Sequence, residues 1–222
     1  MPLTEDKITE HLKNFTGWTA ENRMISKLLL GTGNSSKPPF YRKYFADLPI
    51  EIISAADLGI AEEPEESGET LEDNAILKAK YYFEKSGGLP TLADDSGFEI
   101  PALNNFPGVK SRRFAGHEMA DEEIISAILE EMKDLKGEQR AARMRISCAL
   151  MLSPSEIHVA NGSVEGHVPE VPYEKRHKLF PYRSLLFVDS IGKWFHDLLS
   201  EDEDWVGYRK QAVNELKKYL KV

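Results

Sequence analysis

"TLEDNAILKAKYYFEKSGGLPTLADDSGFEI", residues 70–100, contains a switch from helical to strand periodicity. Thr70 stands at an N-cap position, and Asp73 fills the capping-box place that Glu or Gln more often takes. A helix is predicted over 71–85, ended by Gly87 and Gly88. A short apolar run, Leu89 to Ala93, then predicts a buried strand. Asp94, Asp95, Ser96 and Gly97 follow at its mouth. A helix that hands over directly to a buried strand is the mark of an α/β chain, so the fold class turns on this stretch.

The flanking sequence repeats the alternation. "KLLLGTGN", residues 27–34, predicts a strand over Leu28–Leu30 that runs into a Gly-rich turn, and "IEII", residues 50–53, predicts a second strand. Residues 57–69 are acidic and carry Pro64 and Gly68, which predicts a loop. Downstream, Ile124, Ile125, Ile128 and Leu129 give an amphipathic helix over 121–135. A β-rich stretch covers 142–165 with a turn at "SPSE", and a last helix covers 206–220. At the N-terminus, Ile8, Leu12 and Phe15 share one face of a helix expected over 4–16, capped by Thr4 and closed by Gly17. The alternation of strands and helices that follows predicts an α/β fold with a mixed sheet.

Bulk composition narrows the function. The chain has 222 residues, enough for a sizeable core, and a formal net charge of −9. An acidic chain is poorly suited to sequence-independent nucleic-acid binding, which needs a basic face. Local Lys and Arg can still hold a small anion. The single cysteine, Cys148, forms no intramolecular disulfide and no cysteine zinc site, which fits a cytoplasmic chain. No apolar run approaches the ~20 residues of a membrane span. The expected partners exclude nucleic acid and membrane.

Three constellations have residue types suited to chemistry. In "GTGNSSK", residues 31–37, a Gly-rich turn follows a strand. Its backbone N–H groups can cradle phosphate, with Thr32, Asn34 and Ser35 or Ser36 as short polar groups and Lys37 as a charge. It lacks the Gly-Lys-Ser/Thr ending of a Walker A loop, and an ordinary tight turn explains it equally well. The acidic loop and its helix bring Glu65, Glu66, Glu69, Asp73 and Lys78. Most of these read as a solvated face, but one carboxylate turned to a site would suffice, with Lys78 meeting phosphate on the same side. Asp94-Asp95-Ser96-Gly97 reads either as an Asx-turn ending the strand or as carboxylates that hold Mg²⁺ and activate water. Together these are the parts needed for metal-assisted attack of water on a phosphate anhydride.

Taken in order, "GTGNSSK", "EESGETLEDNAILKAK" and "LADDSGFEIPALNNFPGVKSRRFAG" resemble the inosine triphosphate pyrophosphatase family, the Ham1-like house-cleaning nucleoside triphosphate pyrophosphohydrolases. The resemblance is clear over about 28–116 and extends to about 166, and it implies a helical extension over residues 1–27 ahead of a nucleoside triphosphate pyrophosphatase domain over 28–222. It implies an elongated, two-lobed α/β fold with a central mixed β-sheet and a substrate cleft between lobes, assembled as a homodimer. It implies Mg²⁺-dependent hydrolysis of aberrant purine nucleoside triphosphates (ITP, dITP, XTP) to the monophosphate and pyrophosphate. By position, Thr32, Asn34, Lys37 and Lys78 would hold the triphosphate. Glu66 and Asp95 would hold Mg²⁺. Asp95 would also be the catalytic base, with Asp94 beside it. Ser96, Arg113, Phe180, Tyr182 and Arg209 would touch substrate.

The C-terminal third departs from the family pattern. Where the family has "GFGYDP", this chain has "LFPYRSLLF", residues 179–187. Phe180 and Tyr182 keep the aromatic positions, while Arg183 and Ser184 replace Asp-Pro. Further on, Tyr208 stands for the family's His and Glu203 for its Lys, and Arg209 persists. Two alternatives therefore stand beside the main expectation. One is the same chemistry with a different or relaxed base preference, and the other is a non-catalytic nucleotide-binding relative. The basic run Lys175-Arg176-His177-Lys178 reads as a solvated loop or a phosphate contact, and Trp194 and Phe195 read as packing residues.

Overall fold

The computed structural model describes residues 24–34, 37–178, 180–198 and 207–220. The helix expected over 4–16, Ser35, Ser36 and Glu203 lie outside the described residues. The strands are β1 (Lys27–Gly31), β2 (Glu51–Ser54), β3 (Thr91–Ile100), β4 (Phe106–Gly108), β5 (Ala141–Ser153), β6 (Glu156–His167), β7 (Phe187–Val188) and β8 (Lys193–Trp194). The described helices are α1 (Pro38–Tyr44), α2 (Leu71–Lys85), α3 (Asp121–Glu131) and α4 (Tyr208–Lys217). None is long and apolar enough to cross a membrane.

The sheet is mixed, in the order β2-β1-β3-β5-β6-β7-β8, with β4 paired to β3. β1 lies parallel to both β2 and β3. β5 and β6 are neighbours joined by Pro154 and Ser155 alone, a connection that only an antiparallel pair permits. The α/β class and the central mixed sheet agree with the expectation from sequence.

α2 forms for the reasons read from residues 70–88. Thr70 Oγ1 accepts the Asp73 N–H at 3.1 Å and Asp73 Oδ2 accepts the Thr70 N–H at 3.1 Å. Such a reciprocal cap is worth about 1 kcal/mol. The helix lies on the sheet through small residues. Ala75, Ala79 and Phe83 pack on Ala93 of β3 and on Ala149 and Met151 of β5. α1 opens with Pro38 and Pro39 at its first turn, where a missing N–H costs nothing.

Two boundaries differ from the sequence reading. The strand expected to close at Ala93 runs on to Ile100, so the aspartates lie within β3 and end no strand. Charges can remain in a buried strand when each has a counter-ion, and β3 supplies three such cases. Asp94 meets Lys37, Asp95 meets Lys78, and Glu99 meets Arg143 and Arg145 of β5 at 2.7 and 3.3 Å. α3 stops at Glu131, short of the expected 135. The buried Arg140 donates to the Met132 carbonyl at 2.8 Å and to the Leu135 carbonyl at 3.4 Å, taking up acceptors at the helix end.

The chain divides into two compact units. The first comprises the chain to Asp95, Ser147–Ala160 and the chain from Ala212. The second comprises Ser96–Ile146 and Asn161–Gln211. In the first, Leu28, Leu29 and Leu30 are buried, and Leu29 clusters with Ala55, Tyr82 and Leu89. In the second, α3 buries Ile124, Ile125 and Ile128, and Phe98 of β3 stacks on Tyr182 with ring centroids 4.6 Å apart.

Candidate active site

Adjacent residues of an extended strand point to opposite faces, and Asp94 and Asp95 do so. Asp94 is closed off from solvent, with side-chain exposure of 0%. Lys37, at the foot of α1, donates to its two carboxylate oxygens at 3.0 and 2.9 Å. Asp95 turns instead to α2. Lys78 Nζ donates to Asp95 Oδ1 at 2.8 Å and lies 2.7 Å from Glu66 Oε1. The pair Asp94-Asp95 is therefore two separate ion pairs fed by two helices, and the second extends to the acidic loop through Glu66.

Asn74 completes this second cluster, and the sequence reading missed it. It is buried one helical turn before Lys78 on the same face of α2. Its Nδ2 donates to Asp95 Oδ2 at 3.2 Å, and its Oδ1 accepts the Gly68 N–H at 2.8 Å. The amide orientation is dictated by its partners, because an N–H needs an oxygen and a carboxylate needs a donor. Asn74 thus ties the acidic loop to β3. An Asn in a helix interior, where Ala or Leu is the stronger helix former, was the signal that could have found it. Replacing Asn74 with Ala leaves the Gly68 N–H and one Asp95 oxygen without this partner. The expected result is a fall in kcat of about tenfold or more with a smaller change in KM, measured by steady-state kinetics.

Electrostatics distinguish the members. Burial opposes the charge on Lys78, but Asp95, Glu66 and Asp94 around it outweigh burial and hold its pKa above the ordinary lysine range. Lys78 is therefore a fixed cation. Burial pushes the Asp95 carboxyl above its ordinary value, against the pull of Lys78 and Asn74. A carboxylate of raised pKa is the more basic one, which suits proton abstraction from water.

The Gly-rich turn has a packing reason for its glycines. A Cβ on Gly31 would lie 2.7 Å from the Tyr82 ring of α2, and one on Gly33 would lie 1.9 Å from the Glu63 carboxylate. The turn is also internally bonded, with Thr32 Oγ1 accepting the Asn34 N–H at 3.1 Å. Thr32, Asn34, Lys37, Glu66, Lys78, Asp94 and Asp95 all belong to the first unit.

The remaining sequence candidates belong to the second unit. Ser96 is half-buried and Arg113 is exposed on a turn. Its neighbour Arg112 pairs with Asp121 at the start of α3, at 3.1 Å. Phe180 is half-buried, with the His177 ring edge-on at 4.9 Å. The Arg209 guanidinium lies 4.7 Å above the Tyr208 ring, and that of Arg183 lies 4.7 Å above Phe195. Tyr182 calls for a different reading. Its ring is buried against Phe98 and its hydroxyl donates to the Ser111 carbonyl, so both of its functions are spent inside the unit. Trp194 stacks on Tyr173 at 5.0 Å and Phe195 packs against Tyr208, in keeping with packing roles.

An α/β chain that presents paired ammonium and carboxylate groups beside a glycine-rich turn falls among proteins that handle phosphate esters and anhydrides. Comparison with known proteins narrows the class: the sequence profile of the Ham1 family matches residues 28–219, and the chain belongs to that family. It is 39% identical over 201 residues to the dITP/XTP pyrophosphatase of Haemophilus influenzae, covering 89% of this chain and 100% of that one. It is 34% identical over 194 residues to the dITP/XTP pyrophosphatase of Thermoanaerobacter sp. (strain X514), covering 87% and 96%. Among solved structures, a HAM1 protein from Coxiella burnetii superposes with a TM-score of 0.78 at 32% identity, covering 88% of this chain and 98% of that one.

Proposed function

We propose that this chain hydrolyses aberrant purine nucleoside triphosphates, of the dITP, XTP and ITP kind, to the monophosphate and pyrophosphate. The carrying observation is the Glu66–Lys78–Asp95 cluster, braced by Asn74, in a chain whose relatives are named dITP/XTP pyrophosphatases.

The roles follow from position and charge. Asp95, whose carboxyl burial raises, takes the proton of the attacking water while Asn74 holds its second oxygen in place. Lys78 offsets charge on phosphate oxygens. Lys37 cancels Asp94, which otherwise would repel a triphosphate. Thr32 and Asn34 shape the turn that receives phosphate. Ser96, Arg113, Phe180 and Arg209 remain proposed substrate contacts, while Tyr182 is engaged by Phe98 and Ser111.

Mg²⁺ fits the residues present. The ammonium of Lys78 between Glu66 and Asp95 is itself a stand-in cation, so the carboxylate pair already accommodates positive charge. Among the described residues no group of three or more His, Cys, Asp or Glu side chains could hold a metal. Two carboxylates suit Mg²⁺, which takes the rest of its shell from water and substrate phosphate. When bound, it supplies neutralisation of the charge that develops on the reacting phosphate and the leaving pyrophosphate. We propose a homodimer as well, on the family resemblance; light scattering is expected to give twice the 25.1 kDa chain mass.

The test is pyrophosphate release from ITP, XTP, dUTP, GTP and ATP with Mg²⁺. ITP and XTP are expected to lead GTP and ATP by about a hundredfold or more in kcat/KM. Turnover led by another base would place the altered residues Arg183, Ser184 and Tyr208 in command of specificity. No pyrophosphate from any substrate would sink the proposal.

A further inference from the structure

The same cluster carries a second consequence, which rests on the reading of Glu66 and Asp95 as metal ligands. Lys78 Nζ is 2.7 Å from one carboxylate and 2.8 Å from the other. Its side chain is only 9% exposed. A divalent ion bound directly to both oxygens at the ~2.1 Å typical of Mg²⁺ would occupy the space this nitrogen fills. Even an ion set back from the two oxygens would stand a few ångströms from the Lys78 ammonium and be repelled by it. Lys78 and the ion therefore compete for the same pair of oxygens.

We propose that Lys78 is a displaceable internal cation: its ammonium closes the Glu66–Asp95 pair to divalent ions until a phosphate anion draws it away. The lysine keeps the buried Asp95 and the half-buried Glu66 compensated in the resting protein, where an unpaired buried charge would be costly. On arrival of a triphosphate, the ammonium exchanges carboxylate oxygens for phosphate oxygens and frees the pair. Divalent ion and nucleotide then enter together, and neither is favoured alone. Coupling of this kind is reciprocal: whatever the phosphate gains from the ion, the ion gains from the phosphate.

The experiment is Mn²⁺ binding to the nucleotide-free protein, followed by the electron-spin resonance of free Mn²⁺. Wild type is expected to bind weakly. Lys78→Met is expected to bind about tenfold tighter or more, since one competing charge is gone. Lys78→Arg, which keeps the charge, is expected to bind no tighter than wild type. Equal or weaker binding by Lys78→Met overturns the proposal. Folding is followed in the same samples: Mn²⁺ is expected to raise Tm more in Lys78→Met than in wild type, and Lys78→Gln serves where Met proves unstable. Glu66→Gln separates the two readings. If it retains full Mg²⁺-dependent turnover, the assignment of the ligands fails. If it loses turnover while Lys78→Met binds Mn²⁺ no better than wild type, only the competition fails.

Discussion

Asp95→Asn is expected to lose nearly all pyrophosphate release, a fall of about a hundredfold or more in kcat, while staying folded. The substitution is isosteric. It removes the basic oxygen and lowers the charge of the metal-binding pair, and it leaves the backbone of β3 untouched. Lys78 retains Glu66 as a partner at 2.7 Å. Burial already disfavours the charge on Asp95, so a neutral amide relieves that cost and the melting temperature is expected to change by only a few degrees. Near-normal kcat in Asp95→Asn would remove Asp95 from the chemistry.

The second large effect is on stability. Lys37→Met is expected to destabilise the protein by about 3–5 kcal/mol, because Asp94 is then a buried carboxylate without its ammonium. A lone buried carboxyl has a raised pKa, so the folded variant binds its proton more readily than the unfolded chain does. The deficit should therefore shrink as pH is lowered and grow as it is raised. Urea denaturation at about pH 5.5 and 8 tests the magnitude and the sign. Adding Asp94→Asn to Lys37→Met is expected to recover part of the loss, since no charge then remains to be compensated. A Lys37→Met protein as stable as wild type would show that Lys37 does not hold Asp94 in solution and would return it to the role the sequence suggested, a free cation for the triphosphate.

Local signals were legible where the physics is local. Thr70 and Asp73 cap α2 because their partners lie three residues away, and the glycines after it end it for the same reason. The apolar runs at Leu28–Leu30 and Leu89–Ala93 marked strands because little else can bury such stretches. Short elements such as β7 and β8 left no trace, because strands of two residues have no period to detect.

The site divides along the same line. The family resemblance assigns Glu66 and Asp95 to a metal and Lys78 to phosphate, and in the structure both carboxylates lie within hydrogen-bond distance of the Lys78 nitrogen. Tyr182, named for its aromatic ring, is spent on Phe98 and Ser111, since a ring type in sequence says nothing about which way it faces. Asn74 was passed over because its two partners, Gly68 and Asp95, come from a loop and a distant strand.

By itself, then, the order of residues determined the α/β class, the helix that carries Lys78 and the carboxylates available to chemistry. These follow from periodicity, capping and charge, all of which act over a few residues. Only the tertiary structure decided what "ADDS" means. The pleat of β3 sends Asp94 and Asp95 to opposite faces, and each face brings its own lysine, Lys37 from the turn before α1 and Lys78 from α2. A buried carboxylate is stable only beside its counter-ion. That counter-ion is chosen by packing between segments 17 and 57 residues apart, which no reading along the chain can supply.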